Sequence, residues 1–541
     1  MICRMSFNLP RNAGNTKCVN TTDSNSPATF SESQERRIIF LLCLLGAIHV
    51  FIFSAAFPFF NNMDEHPHFD MVVKYSHGHL PRGIEPLGEE ASQYIMTYSS
   101  PEFLAPPDSL TGGHYPVPFW TQPGPVSQQA ARQNAAFQQA AASWSQIKGI
   151  ANWQNYQSSE QPLYYALAGL WWHAGQWCGM TGLHLIYWIR FLNILIVTAI
   201  VRVGYGAARL VFPENFRLRV AVPAMLAFFP QQAFYSIQND LLSPLCFGAA
   251  FICLIRLSLA ELPGVRLGIA TGLMLAAIFL VKMSSLPLLA VSALAVLLKT
   301  WRLHKAGKLR AALPALTLLF LCAALPVAGW LAWSKYAFGD FTGSAAKLNF
   351  LTWTLKPFSE WWHHPIFSPQ GFWTFISGLL VGFWQGELWW HGQLLTLPVV
   401  NALYVISSLC LIGLAVASLR PQVSTATKTQ RHALWLSFWL CFAGIAFLAF
   451  LSIIYDFGLC MYPSSGYPYM TAGRLILGAL IPFLLLYLYG MDYVLRGAKN
   501  KWLWPVALSG TVLFMLISEI ITDWQVFFSQ YNWYHLPWNF F

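Results

Sequence analysis

The sequence predicts an all-α polytopic membrane protein of eleven to thirteen transmembrane helices, with a long first loop on the non-cytoplasmic side. Three observations predict it. Only 10% of the 541 residues are charged, where a soluble domain carries about 25%. Hydrophobic types make up 56% and the mean hydropathy is +0.47. Apolar runs of about 18 residues or more, long enough to cross a bilayer, recur down the chain. The net charge of +10 is scattered over short turns rather than gathered in one soluble domain. It is therefore read by side of the membrane, and no nucleic-acid partner is expected.

Residues 1–37 are polar and poor in aromatics, which predicts a flexible cytoplasmic tail. Arg36 and Arg37 precede the first apolar run, so that run reads as a retained anchor with its N-terminus inside. Spans are expected at 38–60, 161–178, 183–205, 217–236, 241–260, 264–281, 284–300, 311–333, 393–419, 432–454, 473–495 and 503–521. The shorter piece 371–384 reads as a span or an interfacial helix. The transmembrane domain thus covers 38–521, and 522–541 forms an aromatic-rich interfacial tail.

The segment 299–310, "KTWRLHKAGKLR", holds five bases and no acid, and reads as cytoplasmic. So do 419–432 and 495–501. Counting outward from them places 61–160, the turn at Asn239, 334–392 and 455–472 on the opposite face. The loop 61–160 is acid-rich and too long for a plain connection. Its "QQAARQNAAFQQAAASW" predicts a helix lying on the membrane or packed on the loop. Arg202, Arg209, Arg217 and Arg219 conflict with twelve simple spans, unless 161–178 is a half-crossing or juxtamembrane helix.

The ten cysteines show no CxxC and mostly lie in apolar runs, so they read as small buried hydrophobes. No nucleotide-binding loop is found, and no cofactor or metal is expected.

The candidate chemistry gathers at the non-cytoplasmic face. "NNMDEHPHFD" puts Asp64 and Glu65 just after the first span. A carboxylate there can take a proton from an attacking hydroxyl or amine. Neighbours on a helix diverge by about 100°, so Asp64 is read as the base and Glu65 as a structural or orienting group. Asp70 reads as a solvated loop acid. Tyr164 and Tyr165 in "EQPLYYALAGL" read as an aromatic belt or as the lining of a sugar or lipid-head groove. Asn239 and Asp240 interrupt two apolar runs, and Asp240 has no base near it in sequence. Lys282 is external against the charge bias, which points to an anionic ligand or to snorkelling. Arg474 in "TAGRLILGALIP" also opens a span from outside, and its guanidinium fork matches phosphate oxygens. In "GFWQGELWWHG", Glu387 and His391 share a face if that stretch is helical, beside tryptophans able to stack on sugars.

Taken in order, "DEHPHFD", "EQPLYYALAGL", "QNDLL", "LVKMSS", "GFWQGELWW" and "AGRLILGALIP" resemble a bacterial polytopic membrane family of unknown function. That family is related to the C-type glycosyltransferases, among them aminoarabinose transferases and protein mannosyltransferases. The resemblance runs from about residue 38 to 495. It implies a C-type glycosyltransferase-like fold in a bacterial inner membrane and a polyprenyl-phosphate sugar as donor. It further implies Asp64 as base, Arg474 facing the carrier phosphate, and Asn239 and Asp240 near the cavity. The acceptor would be a glycan, lipid or protein, and a single displacement would invert the sugar. The late motif often reads QGRY in such enzymes, whereas Ala472 and Leu475 stand here at its outer positions. A lipid-linked sugar transporter or flippase is a rival expectation. It calls for broken helices and ionisable residues deep within spans. A polysaccharide polymerase or ligase would differ only in its acceptor, and a scaffold would turn Asp64 away from any cavity.

Overall fold

The computed structural model describes residues 31–60, 64–121, 126–142, 153–420, 426–458, 460 and 462–536. The expected tail at 1–30 and the last residues, 537–541, lie outside them. Seventeen α-helices follow in order among the described residues. They are α1 (Glu32–Ala56), α2 (Glu65–Ser76), α3 (Glu89–Tyr98), α4 (Val126–Ala142), α5 (Leu163–Trp177), α6 (Gly182–Val211) and α7 (Phe216–Ala227). Next come α8 (Leu242–Leu259), α9 (Val265–Val281), α10 (Leu286–Lys305), α11 (Leu309–Phe338) and α12 (Ser344–Phe350). The last are α13 (Pro369–Trp384), α14 (Pro398–Ser418), α15 (Lys428–Ile454), α16 (Leu480–Leu495) and α17 (Leu503–Phe527). Strands are confined to two-residue antiparallel pairs, such as Glu85 with Asn155 and Thr354 with Asp456.

Among the described residues, nine helices are long and apolar enough to cross a membrane, which makes this a multi-pass membrane protein of all-α class. Local sequence sets their ends. Ser31 and Gln34 form a capping box that starts α1, so residues 32–37 are helical rather than part of a tail. Thr427 and Gln430 do the same for α15. The α9–α11 contact depends on Gly268 and Gly272, whose faces lie on the Ala315 and Leu319 carbonyls. A small-xxx-small face of this kind lets two backbones approach where water supplies no driving force.

Two ion pairs define one face of the bundle. Arg209 meets Glu32 at 3.0 Å and Arg219 meets Glu35 at 2.9 Å. The end of α6 and the start of α7 therefore sit beside the start of α1, and this is the basic face. The opposite end carries the long loop.

Two expected spans and the shorter piece 371–384 are revised. The segment 161–178 is not a pass. Helix α5 has 15 residues, about 22 Å of rise against a hydrocarbon core of about 30 Å. It lies on α2, with His173 Nε2 2.7 Å from the Ser76 carbonyl. Trp171 and Trp188 then stack at 4.5 Å where the chain doubles back into α6. This juxtamembrane α5 returns the four arginines to the basic face. The span 217–236 stops at Ala227 as a helix, because Pro230 disfavours helical geometry at Phe229. The exposed backbone groups are satisfied inside the protein. Asn193 Nδ2 donates to the Phe234 and Ser236 carbonyls at 3.0 and 2.9 Å, as irregular backbone at membrane depth requires. The shorter piece, α13, follows His364, whose Nε2 lies 3.0 Å from the Pro468 carbonyl. Gln231 Nε2 holds its last carbonyls, Gly382 and Phe383, at 2.9 and 2.8 Å. The chain then continues until the His391 and Gly392 amides donate to Glu102 and Phe103 of the long loop.

The last helix runs to Phe527, six residues into the expected tail. Beyond it, Ser529 bonds Glu102 and Tyr531 bonds the Pro116 carbonyl. The tail thus packs into the loop. Within that loop α4 packs on α3, as a loop-packed helix was expected to.

Candidate functional site

Six separated stretches meet at the loop face. Asp64 sits in the left-handed region, φ 62°, between α1 and α2. This conformation is costly for a side-chain-bearing residue and is tolerated best by Asp and Asn. It turns the carboxylate toward Arg474, whose Nη2 lies 2.6 Å from Oδ2. The Tyr156 hydroxyl donates to Oδ1 at 2.5 Å. Arg474 also reaches Gln238 Oε1 at 3.2 Å, and its Nη1 is 4.0 Å from Asp240. Lys282 closes the row, with Nζ 2.7 Å from both oxygens of Asp240. Asn239 donates to Glu160 at 3.3 Å, and Lys347 pairs with Glu160 at 2.6 Å.

Helix-terminating backbone positions these groups. Asn239 and Asp240 lie in a short 3-10 turn ahead of α8, Lys282 caps the end of α9, and Arg474 lies in the 3-10 turn Gly473–Ala479 that leads into α16. A methyl group on Gly473 would run into the backbone of Gly382 and Phe383. Gly473→Ala is therefore expected to cost about 1–3 kcal/mol by overpacking. It should also displace Arg474, read as a lower thermal midpoint with weaker anion binding.

Burial opposes ionisation of Asp64, but the Arg474 guanidinium and the Tyr156 hydroxyl outweigh it and hold the carboxyl well below the usual carboxylate range. A carboxylate held so low accepts a proton poorly until the Arg474 contact is given up. Burial likewise opposes ionisation of Glu160, yet Lys347 and Lys282 bring it down to about 2. Glu387 differs. Burial pushes it up to about 7, against the pull of Arg474 and with Asp64 and Asp240 adding to the rise.

The structure brings Asp64, Asn239, Asp240, Lys282, Glu387 and Arg474 together. Glu65 points the other way. It is fully buried and forms a bidentate pair with Arg190, at 2.8 and 2.7 Å from Nη2. This is the structural arm of its expected role. Tyr164 and Tyr165 are wholly buried and form neither a belt nor a groove wall. Tyr165 instead bonds His68 Nδ1 at 2.7 Å. His391 leaves the site because 387–394 is a hairpin, Trp389 opposite Leu394, not a helix. Its ring stacks on Trp390, 5.3 Å away. Asp70 is no solvated acid. It is buried, paired with Lys74 at 2.8 Å and bonded to Asn155 at 2.6 Å. Lys282 does not snorkel, since its ammonium is spent on Asp240.

Arg190, Tyr156, Gln238 and Lys347 escaped the sequence reading. Arg190 carried a signal, being a lone charge amid an apolar run. Lys347, like Lys282, is an external base against the charge bias. Tyr156 and Gln238 carried none.

An apolar cavity of 260 Å³ opens among α13, α14, α15 and the Arg474 turn, lined by Leu380, Phe383, Ile412, Phe438, Ile445 and Ile476. Ile476 is two residues beyond Arg474. Deep between α1 and α17 lies a second polar cluster. His49 Nε2 is 2.7 Å from Glu519, the Tyr235 hydroxyl bonds Glu519, and Gln232 Nε2 is 2.8 Å from Asp523. Among the described residues, no group of three or more His, Cys, Asp or Glu is arranged to hold a metal ion. No family model and no curated protein matches this chain.

Proposed function

We propose that the protein is an inverting glycosyltransferase of a bacterial inner membrane. It would move a sugar from a polyprenyl-phosphate carrier to a glycan, lipid or protein acceptor on the non-cytoplasmic face. The observation that carries this reading is a guanidinium at the membrane edge, with carboxylates on one side and an apolar cavity on the other. Arg474 faces the carrier phosphate, and the cavity takes the adjoining isoprenoid. Positive charge concentrated on the opposite face supports the orientation. Stabilising the phosphate as it departs is the step in which a fixed cation contributes most.

The test is donor consumption in proteoliposomes, using labelled polyprenyl-phosphate sugars with envelope extract as acceptor. Release of polyprenyl phosphate by wild type, and its loss in Arg474→Gln, is the expected result. A wild type that consumes no donor in the panel sinks the reading.

A second reading, a lipid-linked sugar transporter, has its own support. Helix α7 is broken, and Glu519 and Asp523 lie one turn apart in α17 at 2% and 0% exposure. Buried acids within spans mark ion and proton pathways in such proteins. Carrier movement across the same vesicles without donor consumption would select it.

A further inference from the structure

Three of the four acids in the cluster are already neutralised. Asp64 faces Arg474, Asp240 faces Lys282 and Glu160 faces Lys347, each within 2.7 Å. Glu387 makes no ion pair among the described residues, and its buried Oε1 has no hydrogen-bond partner there. Its position is nonetheless fixed. Gly386, at φ 90°, turns the chain after α13. A methyl group on Gly382 would lie 3.4 Å from Glu387 Oε1 and 3.0 Å from the Gly473 amide nitrogen. The carboxylate is thus beside the turn that carries Arg474.

We infer that Glu387, rather than Asp64, is the proton acceptor for the nucleophile. This rests on the transfer reading above. Asp64 then serves as a positioning residue that holds Arg474. The bookkeeping of the step closes. The acceptor oxygen or nitrogen loses its proton to Glu387 and forms a bond to the anomeric carbon. The bond from that carbon to the carrier oxygen breaks, and its electron pair leaves on the phosphate. One negative charge disappears at Glu387 as one appears on the phosphate, both beside Arg474. The local charge stays level through the displacement, and the Arg474–Asp64 pair is kept intact while it happens.

The groups that face Glu387 are Arg474, Asp64, Asp240 and Tyr462, and they set its titration. Burial holds its proton up to about 7. Activity limited by this base is therefore low when Glu387 is protonated and rises with pH through neutrality.

The decisive comparison uses the full chain in nanodiscs, with wild type, Glu387→Gln, Glu387→Asp and Asp64→Asn. Infrared titration without donor should show a carboxylic-acid carbonyl band that disappears as pH rises through neutrality. Glu102, which burial also pushes up to about 7, contributes a component of its own; the band should shrink by one carboxyl in Glu387→Gln and keep that carboxyl in Asp64→Asn. With a consumed polyprenyl-phosphate sugar, Glu387→Gln should lose about 10²–10⁴-fold in kcat, the usual share of general-base catalysis. Its donor affinity should stay within about twofold, and Glu387→Asp should recover part of the rate with a displaced pH limb. A Glu387→Gln protein that turns over like wild type, or whose band is undiminished, overturns this assignment alone. A wild type that consumes no donor overturns the transfer reading and this assignment together.

Discussion

Arg190→Ala is expected to be the most destabilising single substitution in the chain, at about 3–5 kcal/mol. Against a usual total of about 5–15 kcal/mol, that fraction decides whether the protein accumulates. The physical reason is what remains behind. Arg190 and Glu65 both have fully buried side chains. Removing the guanidinium leaves a carboxylate in the interior without its counter-charge. The same guanidinium donates to the carbonyls of Ser54, Phe57 and Pro58 and lies 3.8 Å from the Phe59 ring centre. Glu65 in turn accepts from the Ile237 amide at 3.0 Å. One ion pair therefore joins the end of α1, the start of α2, the middle of α6 and the approach to Asn239. Reversible denaturation in detergent, followed by tryptophan fluorescence, would read the loss. Arg190→Met with Glu65→Leu should recover part of it, because an apolar pair removes the stranded charge, though not the three orphaned carbonyls. A single mutant within about 0.5 kcal/mol of wild type, the range of ordinary surface changes, would refute the account.

Arg474→Gln should have the largest effect on ligand binding. Two charge-assisted hydrogen bonds to a phosphate, at about 1.5–3 kcal/mol each, correspond to roughly 10²–10⁴-fold in affinity. Binding of sugar-free polyprenyl phosphate would measure this without any turnover. Arg474→Lys keeps the charge but not the fork, so an intermediate affinity is expected. The pH dependence of stability supplies an independent check. Asp64 has a folded-state proton affinity depressed by Arg474 and Tyr156. It contributes stability that is fully present above the ordinary carboxylate value and is lost as pH falls below about 4. Wild type should therefore lose stability more steeply in acid than Arg474→Gln does. Equal acid slopes, with phosphate affinity unchanged, would dismiss the pairing as inconsequential.

Much of this site was legible because charge is rare in the chain. Asp64, Asp240, Lys282 and Arg474 each interrupt long apolar runs, and an interruption at a membrane edge is conspicuous. What sequence could not supply was pairing. Lys282 lies 42 positions beyond Asp240, and Arg474 lies 410 beyond Asp64. Hydropathy also failed where the chain stops short of a full helical crossing. Helix α5 is only 15 residues long and keeps Leu170 and Trp177 exposed, while α7 gives way after Ala227 to irregular backbone whose carbonyls Asn193 satisfies. The spacing of Glu387 and His391 suggested a shared helical face. The positive φ at Gly386, His391 and Gly392 instead folds that stretch into a hairpin. Asp70 pairs with Lys74 one turn on, but two further partners that bury it, Asn155 and the Gly88 amide, lie in distant parts of the same loop.

The seating of Ser529 and Tyr531 in the first loop has a consequence for biosynthesis. Glu102 receives its bond from Ser529, 427 positions later, and the Ile52 carbonyl receives one from Tyr534, 482 positions later. At about 5–20 residues per second, the ribosome finishes those closing segments roughly 20–90 s after the loop has been made. The loop must wait at the membrane surface, incompletely packed, while every later helix is threaded through the insertion machinery. A nascent chain stalled just after Phe527 would have α17 complete yet lack the segment that fastens the loop. Emergence of residues 528–536, not insertion of α17, is then the event that matures this face of the molecule.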